Sequence, residues 1–224
     1  MKCYKLKLFY TNVRIKKFKF GMSDNLLGRL PLTLQNCQNL QDIDFHNNQL
    51  AELPDLALPR LKKMRISKNQ LTSLPKGLSS CEMLEMLDCK SNRLRSLPSL
   101  AKLQNLKVLD AMENLISVFP ELPLVNSASG PGSGLEILNL SYNGISSLSP
   151  TLVLHDRLSD LHLQNNKLVA LDGGMVDMAS LKLLDASNNS LTDVPYQLGY
   201  SPSLSQLLID GNPIRTIRRT LITR

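Results

Sequence analysis

Apolar residues recur in this chain in a fixed frame, which fits neither helical spacing nor a long simple alternation. The frame is clearest at Leu135-Glu136-Ile137-Leu138-Asn139-Leu140-Ser141-Tyr142-Asn143-Gly144-Ile145, with apolar residues at its first, fourth, sixth and eleventh places and asparagine at its ninth. In register, that asparagine returns at Asn25, Asn48, Asn69, Asn92, Asn114, Asn143, Asn166, Asn189 and Asn212, at spacings of 23, 21, 23, 22, 29, 23, 23 and 23 residues. The local alternation in each copy predicts a short strand, because successive strand side chains point to opposite faces. In the seventh copy this sends Leu158, Leu161, Leu163 and Leu168 inward and leaves Asp160 and His162 outside.

Each asparagine closes the turn after its strand. Its amide carries donors and an acceptor, so stacked copies satisfy backbone groups that the bending chain removes from the strand ladder. The nine asparagines are therefore expected to be structural. Six residues after most of them comes proline, as in Leu53-Pro54, Leu74-Pro75, Leu97-Pro98, Phe119-Pro120 and Val194-Pro195. Proline fixes φ and ends strand pairing there. The few residues left to return the chain predict 3₁₀ or irregular segments rather than long helices.

No copy can bury its leucines alone, so neighbours must stack. The frame is that of a leucine-rich repeat. The expected fold is α/β: a right-handed leucine-rich repeat solenoid, or horseshoe, with about nine parallel strands on the concave face and a 3₁₀ or irregular convex face. The 21-residue spacing from Asn48 to Asn69 removes convex residues around Ala57-Leu58-Pro59. The 29-residue spacing adds them in a flexible stretch, Asn126-Ser127-Ala128-Ser129-Gly130-Pro131-Gly132-Ser133-Gly134, giving a convex insertion near 122–134. No Gly-Lys-Ser/Thr follows those glycines, so they do not read as a phosphate loop.

Charge divides the chain in two. Residues 1–19 carry Lys2, Lys5, Lys7, Arg14, Lys16, Lys17 and Lys19 without an acid, which equals the net charge of +7 for all 224 residues. The repeat domain, 20–224, is neutral, so a high isoelectric point says nothing of a basic surface on the body. Tyr4, Phe9, Tyr10, Phe18 and Phe20 lie in or beside the basic segment. It reads first as a cap or a disordered tail. The alternatives are a contact to anionic membrane or single-stranded nucleic acid, or a targeting sequence.

The cysteines point to a reducing compartment. Cys37 and Cys81 each follow a frame asparagine by 12 residues, and Cys89 takes a strand leucine place, so all three are expected in the core, with Cys3 as the reactive thiol. The glycosylation-type triplets Asn139-Leu140-Ser141 and Asn188-Asn189-Ser190 fall inside the frame and read as accidental. With no apolar run near membrane-spanning length, the expectation is a cytoplasmic chain.

Catalytic or metal chemistry has little support. His46, His155 and His162 lack ligand spacing to one another or to cysteine. Asp88 and Asp110 share a strand place in adjacent repeats but read as part of a charge ladder with Asp44 and Arg65 rather than an acid–base couple. No metal, cofactor or small-molecule substrate is expected, and the chain does not read as an enzyme.

The frame followed by Leu-Pro resembles short intracellular leucine-rich repeat proteins of the Ras-suppressor and plant Ras-group-related types, over Phe20 to Ile217. The closing segment Asp210-Gly211-Asn212-Pro213-Ile214-Arg215-Thr216-Ile217-Arg218-Arg219 is similar to that of leucine-rich-repeat-containing protein 40 and its relatives. In that family a helical cap follows and many more repeats precede. The resemblance thus implies a shortened paralogue, a divergent lineage or an incomplete gene model. It also implies a non-catalytic protein that binds other proteins.

The expected function is a protein-interaction scaffold that takes a protein partner on its concave face. The alternatives are a regulatory subunit docking a phosphatase or GTPase-linked enzyme, and a membrane or nucleic-acid adaptor acting through the basic segment. The first outward strand place reads Lys19, Asp42, Lys63, Met86, Val108, Ile137, Asp160, Leu183 and Gln206. A solvent-facing row has no packing reason to carry Met86, Val108 and Ile137 in succession, and exposed apolar surface marks interaction sites. The candidate contact residues are Met86, Val108, Met112, Ile137, Tyr142 and Leu183, with Arg65 and His162 in a polar rim. The competing reading is that outward apolar residues merely raise strand propensity.

Overall fold

The computed structural model describes residues 19–124 and 134–215. The basic segment before Lys19, Cys3, most of the glycine-serine insertion and the last arginines of the closing segment lie outside the described residues. Nine strands of three residues each form one parallel sheet in chain order: β1 Lys19–Gly21, β2 Asp42–Asp44, β3 Lys63–Arg65, β4 Met86–Asp88, β5 Val108–Asp110, β6 Ile137–Asn139, β7 Asp160–His162, β8 Leu183–Asp185 and β9 Gln206–Leu208. Lys19, grouped above with the N-terminal segment, opens β1 and pairs in register with Asp42.

Each strand from β2 to β8 buries its central residue and shows the two flanking ones. The central residues Ile43, Met64, Leu87, Leu109, Leu138, Leu161 and Leu184 are fully buried and stack in register along one continuous core. Phe45 replaces leucine at the next inward place and meets Phe20 edge to face at 5.6 Å.

The return path depends on repeat length. Five-residue 3₁₀ turns occupy Leu32–Asn36, Lys76–Ser80, Pro150–Leu154, Gly173–Asp177 and Tyr196–Tyr200, each burying one residue such as Leu34 or Leu78. Between β2 and β3 and between β4 and β5 the spacing is shorter, and the chain returns without a 3₁₀ turn. There Leu56 and Leu58, or Leu100 and Leu103, are the buried residues of the return path. The described residues contain no α-helix, and no helix is long and apolar enough to cross a membrane.

The asparagines bind neighbouring repeats together. Asn69 is almost fully buried, and its Nδ2 donates to the carbonyls of Phe45, Ile66 and Ser67 at 3.0, 3.0 and 3.1 Å. Its Oδ1 accepts the Leu50 N–H at 3.0 Å. The same acceptor role recurs from Asn48 to Asn212, each holding an amide of the preceding repeat. Asn25 is exposed, and among the described residues its amide donates to the Met22 and Ser23 carbonyls of its own turn.

A further regularity precedes each asparagine. Asp24, Asn47, Lys68, Ser91, Glu113, Tyr142, Asn165 and Asn188 all have φ between 52° and 57°, and Gly211 has φ 71°. This left-handed residue aims its own N–H at the next repeat, as Asn47 does toward the Ser67 carbonyl at 2.9 Å, and turns the following amide side chain inward. Asparagine, aspartate and glycine tolerate that conformation, whereas lysine, glutamate and tyrosine adopt it only under the constraint of their neighbours.

Cys37, Cys81 and Cys89 are free and buried. Burial pushes all three thiols up, most strongly that of fully enclosed Cys89, where the Asp88 and Asp110 charges add to it. A thiolate is the reactive species. Native-state labelling with a thiol reagent is therefore expected to leave Cys81 and Cys89 unmodified until the protein unfolds. Fast reaction of either under native conditions contradicts the core placement.

Candidate interaction surface

The strand register brings the expected outward row together residue by residue. Lys19, Asp42, Lys63, Met86, Val108, Ile137, Asp160, Leu183 and Gln206 are consecutive pairing partners across the sheet. Met86, Val108, Ile137 and Leu183 are partly exposed, while the residue next to each in its strand is buried. Three apolar side chains thus stand side by side on β4, β5 and β6, and Leu183 is separated from them by Asp160.

Met112 lies two residues beyond β5 and is partly exposed. Tyr142, beyond β6, is 49% exposed and sits in the left-handed place of its turn. Two further exposed apolar residues follow β5, Leu115 and Val118, exposed by 58% and 69%. Their signal was present: Leu115 follows its asparagine where other repeats have Gln49, Gln70, Arg93, Lys167 or Ser190.

Polar neighbours divide the concave face by sign. Arg65 is drawn toward the N-terminal repeats, with Nη1 3.0 Å from Asp42 Oδ1 and 3.8 Å from Asp44 Oδ2. The expected alternation of Asp44, Arg65 and Asp88 is therefore one-sided. Asp88 instead accepts the Ser67 hydroxyl at 2.9 Å. Arg65 is thus already engaged by carboxylates.

His46 bridges two carboxylates, Nδ1 to Asp44 at 2.7 Å and Nε2 to Asp24 at 3.3 Å. His162 stands between Asn139 and Asp185 in register, partly exposed. His155 is buried at the end of its 3₁₀ turn, with Nδ1 3.1 Å from the Leu152 carbonyl, in the place Cys37 and Cys81 fill elsewhere. Among the described residues no group of three histidine, cysteine or acidic side chains is arranged to hold a metal ion. A shallow cleft lined by Arg29, Leu30, Leu32, Glu52, Leu53 and Pro54 lies away from the strands and contains no nucleophile–base pair.

Comparison with known proteins agrees with the frame and the sheet. Residues 156–214 match the family described as Leucine rich repeat, and 134–155 match a second family of the same description. Those residues carry leucine-rich repeats, and the chain has the leucine-rich repeat horseshoe fold. Zebrafish (Danio rerio) keratocan is 33% identical over 114 residues, covering 49% of this chain and 32% of keratocan. The chain thus spans about a third of the length of that relative. Among solved structures, YopM from Yersinia enterocolitica is 33% identical with TM-score 0.68, covering 87% of this chain and 38% of YopM. The leucine-rich repeat ectodomain of the Arabidopsis receptor kinase HAESA, solved in complex with an N-terminally extended IDA peptide hormone, is 28% identical with TM-score 0.70, covering 84% of this chain and 33% of that one. Such a fold is typical of protein–protein interaction domains, and leucine-rich repeat domains are generally non-catalytic interaction modules.

Proposed function

We propose that this leucine-rich repeat protein is a non-catalytic scaffold that receives a protein partner on the concave face of β4 to β8. The observation that carries the reading is the in-register run Met86, Val108 and Ile137, partly exposed on a surface where packing demands no apolar side chain. Tyr142, Met112 and Leu183 extend it, and Arg65 and His162 stand at its polar edges. Contiguous exposed apolar surface is characteristic of interaction sites, and aromatics are frequent anchors. The peptide-bound HAESA ectodomain supports the reading by showing that a similar array can accommodate a peptide.

The finer kinship with the leucine-rich-repeat-containing protein 40 group belongs to the same proposal and rests on the segment that begins at Asp210. A cytoplasmic location is part of it too, supported by three buried free thiols in separate repeats. Quantitative affinity purification with wild-type protein, Ile137→Glu, Tyr142→Ala and the exposed return-side control Lys102→Glu tests the face. The expected result is a partner depleted at least about tenfold by Ile137→Glu, less by Tyr142→Ala and unchanged by Lys102→Glu, as loss of a central contact predicts. Depletion by Lys102→Glu alone contradicts the proposed face.

A further inference from the structure

The apolar run is bordered by carboxylates that the chain leaves largely without cations. At the concave strand and turn places of β4 to β8, Asp88, Asp110, Glu113, Asp160 and Asp185 stand against Lys90 alone among lysines and arginines. The residues just before these strands, Glu85, Lys107, Glu136 and Lys182, are balanced in sign. Asp42 and Asp44, farther along the sheet, are instead matched by Arg65 and Lys19. The acidic surplus therefore coincides with the apolar run.

These carboxylates are held in place by neutral donors. Asp88, Asp110 and Asp185 each accept the backbone N–H two residues on, at 3.3, 3.2 and 3.0 Å. Hydroxyls add to this: Ser67 donates to Asp88 at 2.9 Å, Ser187 to Asp185 at 2.7 Å, Ser91 to Glu113 at 2.7 Å, and Ser159 to Asp160. Neutral donors fix a carboxylate's orientation without cancelling its charge. An incoming cation then meets preorganised acceptors and orders few protein groups.

Lys90 reports the local field. Its Nζ lies 3.3 Å from Asp110 Oδ2. Partial burial pulls its pKa down, yet the Asp88 and Asp110 charges more than offset this and hold it above the ordinary lysine value. Asp88, Glu113, Asp160 and Asp185 form no ion pair among the described residues.

We infer that the partner presents a short extended segment with apolar side chains at its centre and lysine or arginine at both ends. This deepens the concave-face reading and rests on it. Apolar side chains meet Val108 and Ile137 on the middle strands, the basic end over β4 reaches Asp88 beside Met86, and the basic end over β8 reaches Asp185. Four strand spacings from β4 to β8 amount to about 19 Å, the length of roughly six extended residues. The same surplus of negative charge opposes nucleic acid or an anionic membrane on this face.

The probe is a fluorescein-labelled peptide of alternating leucine and serine with arginine at both ends, compared by polarisation with versions ending in glutamine or glutamate. The arginine peptide is expected to bind about tenfold more tightly than the glutamine peptide, with the glutamate peptide weaker again and the preference shrinking as salt rises. The double variant Asp88→Asn with Asp185→Asn is expected to remove the arginine preference, so that the arginine and glutamine peptides bind alike, and an arginine preference kept in that variant overturns the inference. Circular dichroism confirms that each variant is folded. If all three peptides bind alike and Ile137→Glu abolishes them all, the inference fails and the concave-face reading survives. If the arginine peptide binds but is indifferent to Ile137→Glu, both fail. Absence of arginine-peptide binding also overturns the inference.

Discussion

Leu109→Ala is expected to destabilise the protein by about 2–5 kcal/mol, the range for a buried leucine whose cavity cannot collapse. Leu109 is the fully buried centre of β5, with Leu87 and Leu138 as its register partners on either side. Each repeat contacts mainly its neighbours, so a cavity at the middle of the array weakens two interfaces at once. Thermal melts followed by circular dichroism measure the effect, with Leu26→Ala as control. Leu26 is 74% exposed and is expected to shift stability by less than about 0.5 kcal/mol. Equal effects would mean that the core does not lie behind the strand centres.

Asn69→Ala is expected to cost about 1–3 kcal/mol, because a buried amide left without its acceptor bears the full desolvation penalty. The substitution orphans the Leu50 N–H and removes donors from three carbonyls, of which Phe45 belongs to the preceding repeat. Asn143→Ala acts in the same direction through Ile116 and Ala111. Asn25→Ala is expected to change stability by under about 0.5 kcal/mol, since that side chain is exposed and, among the described residues, bonds within its own turn. Denaturant titration separates the cases. Matching losses at Asn25 and Asn69 would show that the asparagines act within turns rather than between repeats.

The fold was legible because its frame fixes which residue follows which. Counting along it put Met86, Val108 and Ile137 in one outward row, and the strand register pairs them in that order. Burial of Cys81 and Cys89 followed from the same counting. What the frame could not convey was conformation at a place of mixed composition. The residue before each asparagine is left-handed throughout, but only Asp24, Asn47, Asn165, Asn188 and Gly211 advertise it, and Lys68, Glu113 and Tyr142 do not. Tyr142 therefore lies in the turn after β6, and Leu115 and Val118 of the preceding repeat are also exposed.

The polar part of the site was less readable because long side chains choose among several acceptors. The alternation of Asp44, Arg65 and Asp88 is present in register, but the Arg65 guanidinium goes to Asp42 and Asp44 while a serine hydroxyl satisfies Asp88. A sequence gives charges to rows, not partners to charges. The carboxylate surplus over β4 to β8 emerges only once those pairs are removed.

Hydrogen–deuterium exchange with and without a captured partner tests the concave-face account most directly. Slowed exchange is expected in 86–92, 108–114 and 137–143, the strands and turns bearing Met86, Val108, Met112, Ile137 and Tyr142. The 3₁₀ turns Pro150–Leu154 and Gly173–Asp177 on the return side are expected to exchange as in the free protein. Protection confined to those turns, with the strand segments unchanged, would contradict the account.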